Sequence, residues 1–313
     1  MGKVIAITNQ KGGVGKTTTT INLASNLAHE GMRTLVLDLD PQGNATSGLG
    51  VDKAGVEAST YEMLLGEASA EDCVLHLTYK NFFSSRELSL LPATVDLAGA
   101  ETELTETEDK EFILDEKIRP IRESYDYILI DCPPSLSLLT VNALATADSV
   151  LIPVQCEYYA LEGLAQLLET IGLVQERLNE RLEVEGLVFT MYDTRANLSR
   201  QVIEDVRENL DAYIFEQPIP RNVRLAEAPS YGQPVDMYDR LSAGSKSYRK
   251  LAKELIRKNA EEEAKKRAKE IMEETEAAQE PKTEAIEAAG AEGPIVGGAE
   301  SAPETSADSN DQE

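Results

Sequence analysis

No stretch of the sequence approaches the ~18–20 consecutive apolar residues that a helical membrane span needs, which excludes an integral membrane protein of that kind. The opening residues, Met1-Gly2-Lys3-Val4-Ile5-Ala6-Ile7, enter a β-like run without the architecture of a signal peptide. Ala6 stands where a myristoylation motif wants Ser or Thr. Cysteine is scarce: Cys73, Cys132 and Cys156 are too few and too scattered for a disulfide framework or a CxxC metal site. Basic residues are scarce too, with 30 Lys+Arg against 56 Asp+Glu and a net charge of -26. The deficit is not confined to one end. Residues 256–313 carry 7 Lys+Arg and 16 Asp+Glu, leaving 23 and 40 on the body. Such a balance favours solubility by self-repulsion and excludes a broadly basic nucleic-acid face, so any nucleic-acid contact must use a local patch. No internal repeat is present. The expectation is a soluble cytoplasmic protein. Its 313 residues, 42% hydrophobic, are enough for a real core in one large or two small domains.

Apolar runs alternate with helix-period segments along the body. The runs are Val4–Thr8, Thr34–Leu39, Tyr127–Ile130, Ser149–Val154 and Gly186–Met191. Helical periodicity covers about 16–29, 94–106, 111–122, 137–147, 159–179 and 198–210. Continuous rather than alternating apolar strands predict a doubly covered parallel sheet, and so an α/β fold: a mostly parallel twisted sheet with helices on both faces. Acidic residues follow three of the runs, at Asp38/Asp40, Asp131 and Glu157, on the edge where open α/β sheets bind ligands. From about Ser242 a long C-terminal helix is expected, with Tyr248, Leu251, Leu255 and Ile256 on one face and a charged continuation. After Pro281 the Glu, Ala, Gly, Pro, Ser and Thr composition predicts a disordered acidic tail, since it buries too little to offset its ordering entropy.

The strongest chemical signal is Lys11-Gly12-Gly13-Val14-Gly15-Lys16-Thr17-Thr18, between a strand and a helix. Glycines let the backbone curl so that its N–H groups converge on phosphate oxygens, and the helix N-terminus adds its dipole. Lys16 is placed to reach the β- and γ-phosphates of a nucleotide, and the Thr17 hydroxyl to ligate Mg²⁺. The loop departs from the ordinary pattern: Gln10 replaces its first glycine, and Lys11 is an additional lysine.

That departure resembles the deviant Walker A box of the ParA/Soj/MinD superfamily of P-loop ATPases. The resemblance continues in Asp38-Leu39-Asp40-Pro41-Gln42-Gly43-Asn44, in the Walker B-like Tyr127-Ile128-Leu129-Ile130-Asp131, and in Ile219-Pro220-Arg221-Asn222-Val223-Arg224-Leu225-Ala226-Glu227-Ala228-Pro229-Ser230. It covers about residues 1–255, and the lack of a long N-terminal DNA-binding extension is similar to the short, chromosomal Soj type. It implies ATP and Mg²⁺ as ligands. Lys11 would complete the partner's site in an ATP-bound homodimer, Asp40 would orient the attacking water, and Asp131 would hold Mg²⁺ with Thr17. Thr190, Met191, Pro220 and Asn222 would face the adenine. Arg195 and Arg224 would meet non-specific duplex DNA, with Arg200, Lys246 and Arg249 as weaker candidates. A ParB-type protein would stimulate hydrolysis, and the activity would serve chromosome or plasmid segregation. The resulting division is a P-loop ATPase domain over 1–257, a charged helical extension over 258–280 and an acidic tail over 281–313.

Four rival readings share the fold. A MinD-like membrane-positioning ATPase needs a basic amphipathic C-terminal helix, and the acidic end predicts no membrane insertion. An iron–sulfur electron donor needs cluster-ligating cysteines that the chain does not present. A metabolic synthetase of the dethiobiotin type is disfavoured by Lys11 and the 219–230 segment. A ParA-like ATPase positioning some other cargo is the alternative that sequence alone leaves open.

Overall fold

Among the described residues the strands form one seven-stranded sheet. The computed structural model describes residues 2–81, 84–157, 160–210, 212–289 and 297. The chain divides into two units, Met1–Lys258 and Asn259–Glu313. The first opens with β1 (Lys3–Ile7), α1 (Lys16–His29), β2 (Thr34–Asp38), α2 (Asn44–Gly48), α3 (Thr60–Leu65) and α4 (Ala70–Cys73). It continues with β3 (Leu75–Lys80), β4 (Ser85–Leu91), α5 (Leu97–Glu103), α6 (Ile113–Ile118) and β5 (Tyr127–Asp131). Then come α7 (Leu138–Thr146), β6 (Ser149–Gln155), α8 (Ala160–Arg177), β7 (Glu183–Thr190), α9 (Asn197–Asn209), α10 (Val223–Glu227) and α11 (Val235–Tyr238). Helix α12 (Ala243–Ala289) begins in the first unit and supplies the helical part of the second.

The strand order is β3-β4-β2-β5-β1-β6-β7, parallel except for the antiparallel edge strand β3. Strands β1, β2, β5 and β6 are buried on both faces, which is why their sequences are unbroken apolar runs. Alternate residues serve opposite cores. Val4, Ala6, Leu35, Leu37, Ile128 and Ile130 pack with side chains from α3 and α5–α9. Ile5, Ile7, Val36, Leu129, Leu151 and Val188 pack with α1 and with Tyr248, Leu251, Ala252 and Leu255 of α12. The expected helices on both faces are therefore present.

Two features differ from the sequence expectation. The β3–β4 hairpin was not foreseen, because β3 alternates half-buried and exposed residues and β4 is interrupted by Arg86 and Glu87. The C-terminal helix also passes Pro281 and ends at Ala289, so residues 281–289 are helical; the rest of the expected tail, 290–296 and 298–313, lies outside the described residues.

The topology fixes where a ligand can sit. From β1 the chain crosses by α1 to β2, two places to one side; from β5 it crosses by α7 to β6, on the other side of β1. The carboxyl ends of β1 and β5 therefore open at a topological switch point. Within this frame Thr46 is a buried joint. Its hydroxyl donates to the Asp38 carboxylate at 2.7 Å and accepts the Ala93 N–H at 2.9 Å. Thr46→Val strips both groups of that partner at unchanged volume, so chemical denaturation is expected to show a loss of about 2–4 kcal/mol. A loss under about 0.5 kcal/mol would contradict this role.

Candidate functional site

The loop after β1 carries two left-handed glycines, Gly13 at φ +75° and Gly15 at φ +92°, the latter leading into α1. Only glycine takes up such angles freely, and they turn successive N–H groups toward one concavity. A Cβ built on Gly12 or Gly13 meets nothing within 4 Å, so the space over the loop is open. The loop is held from outside its concavity. Asn9 accepts the Lys11 N–H at 2.9 Å and donates to the Pro153 carbonyl at 2.7 Å, while Thr190 donates to the Val14 carbonyl at 2.7 Å.

Lys16 is 7% exposed, and its ammonium has one long hydrogen bond, 3.5 Å, to the Lys11 carbonyl. Burial pulls its pKa down, opposed by the nearby Asp131, Cys132 and Asp40. A buried ammonium with spare donors beside converging N–H groups is arranged for an anion. The next residue, Thr17, donates its hydroxyl to Asp131 Oδ2 at 2.7 Å, and one turn along α1 the Thr20 hydroxyl lies 2.9 Å from Asp131 Oδ1. Asp131 and Asp38 are register partners at the ends of β5 and β2. Burial first, and the mutual repulsion of the acidic cluster, raise the pKa of both. Asp38 is absorbed by the Thr46 N–H and hydroxyl at 2.8 and 2.7 Å, which suits a supporting role. Asp40 is almost buried; its Oδ1 accepts the Gln42 N–H at 2.9 Å, which steadies the loop after β2. Beside Thr17 and Thr18 a cavity of about 290 Å³ runs between Asn44, Ser47 and Pro229.

The donor set fits Mg²⁺: a hydroxyl and a carboxylate, both hard oxygens, next to a phosphate cradle. Among the described residues no group of three or more His, Cys, Asp or Glu is arranged to hold a metal by itself. This is the usual situation where nucleotide phosphates complete the coordination.

The adenine candidates also converge. The Tyr192 N–H donates to Ile219 O at 3.0 Å and the Arg221 N–H to Tyr192 O at 3.2 Å, joining the end of β7 to the 219–222 segment. Thr190, Met191 and Pro220 thus share one corner. Met191 has φ +50°, a conformation uncommon for a non-glycine residue and concentrated at functional sites. Asn222 caps α10, its side chain accepting the Arg224 N–H at 3.0 Å. Arg195 follows β7 on an exposed loop and Arg224 lies on α10.

Sequence reasoning missed three participants. Thr20 shares Asp131 with Thr17, a pairing that the i,i+3 spacing on α1 could have suggested. Asn9 braces the loop. Glu157, noted only as an acid after a strand, holds the Lys11 ammonium at 2.6 Å within the chain.

A family model described as an AAA domain matches residues 2–184. The sporulation initiation inhibitor protein Soj of Bacillus subtilis is 54% identical over 255 residues, covering 82% of this chain and 98% of that protein. The chromosome partitioning protein ParA of Myxococcus xanthus is 53% identical over 257 residues, covering 82% and 89%. The chain belongs to the ParA/Soj family of P-loop ATPases. Among solved structures, cobyrinic acid a,c-diamide synthase of Mycobacterium smegmatis with a bound ATP analog and magnesium aligns with a TM-score of 0.72 at 37% identity, over 82% of this chain and 95% of that one. The ParA/Soj fold is thus shared with a protein named for synthase chemistry, while identity is higher to the partitioning proteins. No helix among the described residues is long and apolar enough to cross a membrane.

Proposed function

We propose that the chain is a Mg²⁺-dependent ATPase that dimerises around ATP, binds duplex DNA without sequence preference in that state, and releases it after hydrolysis. It serves chromosome or plasmid segregation in the cytoplasm, on the nucleoid while ATP is bound. A ParB-type protein stimulates its hydrolysis. The observation that carries this reading is the loop bearing both Lys11 and Lys16, with Thr17 2.7 Å from Asp131, in a chain 54% identical to Soj.

Phosphoryl transfer asks a protein for positioning and charge neutralisation rather than covalent chemistry. The Gly12–Thr18 N–H groups and the Lys16 ammonium hold the phosphates. Thr17 and Asp131 hold Mg²⁺, which supplies Lewis-acid neutralisation of phosphate oxygens. The Oδ1 of Asp40 is occupied by Gln42, so its other oxygen orients the water. Thr190, Met191, Pro220 and Asn222 frame the adenine. Lys11 reaches the partner's nucleotide, making ATP the link between protomers and hydrolysis the release. Arg195 and Arg224 meet DNA phosphates.

The direct test is sedimentation velocity with Mg²⁺ and ATP, ADP or no nucleotide, alongside phosphate release. Dimers with ATP alone, and release stopped by EDTA, are expected; dimers indifferent to nucleotide would overturn the reading. The Lys11–Glu157 pair adds a second expectation. For Lys11 to cross to a partner it must leave Glu157, so Glu157→Gln should lower the ATP concentration for half-maximal dimerisation by about 2–5-fold, the range of a half-exposed ion pair. A higher requirement would mean that Glu157 itself supports the dimer.

A further inference from the structure

Both arginines proposed to meet DNA are already engaged by carboxylates of their own chain. Arg195 forms a two-pronged pair with Asp193: Nε to Oδ1 at 3.0 Å and Nη2 to Oδ2 at 2.9 Å. This is the planar geometry with which guanidinium grips phosphate. The Arg195 side chain is 88% exposed, so the pair faces solvent rather than a core. Arg224 is held twice, by Glu227 at 2.7 Å and by Asp239 at 3.2 Å. Tyr238 donates its hydroxyl to the same Glu227 oxygen at 3.3 Å and stacks on Tyr231, which fixes the carboxylate's place. Neither arrangement belongs to the nucleotide site.

Resting on the DNA-binding reading above, we infer that Asp193, Glu227 and Asp239 set the strength of DNA binding by occupying Arg195 and Arg224 in place of phosphate. DNA must displace a carboxylate from each arginine before it gains the contact. The displaced carboxylate is then left near a polyanion and recruits a cation from solution. That uptake cancels a counterion which the phosphate would otherwise release. A single chain therefore offers DNA little, and two chains joined by ATP offer both sites twice. Net acidity over the body and a usable DNA contact are compatible on these terms: weak sites that count only in the dimer.

The test replaces the three carboxylates by their amides, Asp193→Asn, Glu227→Gln and Asp239→Asn. The backbone N–H groups of Arg195 and Leu241, accepted by Asp193 and Asp239 at 3.0 and 3.1 Å, keep an amide oxygen as acceptor. Binding of a short duplex is measured with Mg²⁺ and ATP over a salt series, using the full chain. Each released arginine is expected to tighten binding about 2–5-fold, and the triple variant about 10-fold or more, because the sites recur in both protomers. The slope of log affinity against log salt should steepen, by up to about 0.9 for each contact no longer offset by a freed carboxylate. A purely structural role would not move that slope. In an Arg195→Ala background, Asp193→Asn should lose its effect. Unchanged affinity and slope would overturn the inference while leaving DNA binding intact, as would tightening that persists without Arg195, which would mark a general charge effect. ATP-dependent dimers that ignore DNA in both the native chain and the triple variant would overturn the DNA reading itself.

Discussion

Asp40→Ala is expected to leave ATP-driven dimerisation intact while slowing hydrolysis about 10²–10⁴-fold, the usual contribution of a positioned acid–base group. The reason lies in how the two aspartates after β2 are employed. Asp38 is fully buried and committed to Thr46, which donates through both its N–H and its hydroxyl. Asp40 is fixed through one oxygen by Gln42, and its carboxylate is near enough to Lys16 to act on that ammonium. Among the described residues Asp40 makes no hydrogen bond to Lys16 or to the Thr17–Asp131 pair, so binding survives. Single-turnover phosphate release together with sedimentation separates the two effects. Hydrolysis within about 3-fold of the native rate would remove Asp40 from the chemistry.

Lys16→Ala should act one step earlier. The ammonium lies in a buried, acidic neighbourhood and its hydrogen-bond acceptor among the described residues, the Lys11 carbonyl, is 3.5 Å away, so the fold makes little use of that bond. Its hydrogen bonds to phosphate are charge-assisted, each worth about 1.5–3 kcal/mol. Losing contacts to two phosphates is expected to weaken ATP binding at least about 100-fold and to abolish ATP-dependent dimers. Thermal unfolding without nucleotide should change little, which shows that the loss is one of binding. Retained ATP-dependent dimerisation would contradict the assignment.

Much of this was legible in residues whose chemistry is local. The runs at Val4, Thr34, Tyr127 and Ser149 are apolar throughout because their strands lie buried between two helical layers, and that burial is what the eye reads in sequence. The Gly12–Thr18 loop was legible because glycine, lysine and threonine at that spacing have few other uses between a strand and a helix. The β3–β4 hairpin was not: an edge strand with one wet face gives a weak pattern. Glu157 and Asp239 were illegible for a different reason. An ion pair between residues 11 and 157, or between 224 and 239, is made by tertiary approach, and an acidic chain offers too many candidate partners to choose among. The helix runs on to Ala289 although the composition after Pro281, poor in large apolar residues, reads as a tail. Thr20 was within reach, since Thr17 and Thr20 lie on one face of α1.

The measurement that bears most directly on the central claim is duplex-DNA binding by the unmodified chain with Mg²⁺ and ATP, with ADP and with no nucleotide, each over a salt series. Binding with ATP alone, weakening as salt rises, is the expected result: ATP gathers two sets of Arg195 and Arg224, and their contacts are to phosphate. Dimerisation with ATP but no DNA binding at any salt would contradict the claim, and would mean that the acidic surface directs this ATPase to some other matrix.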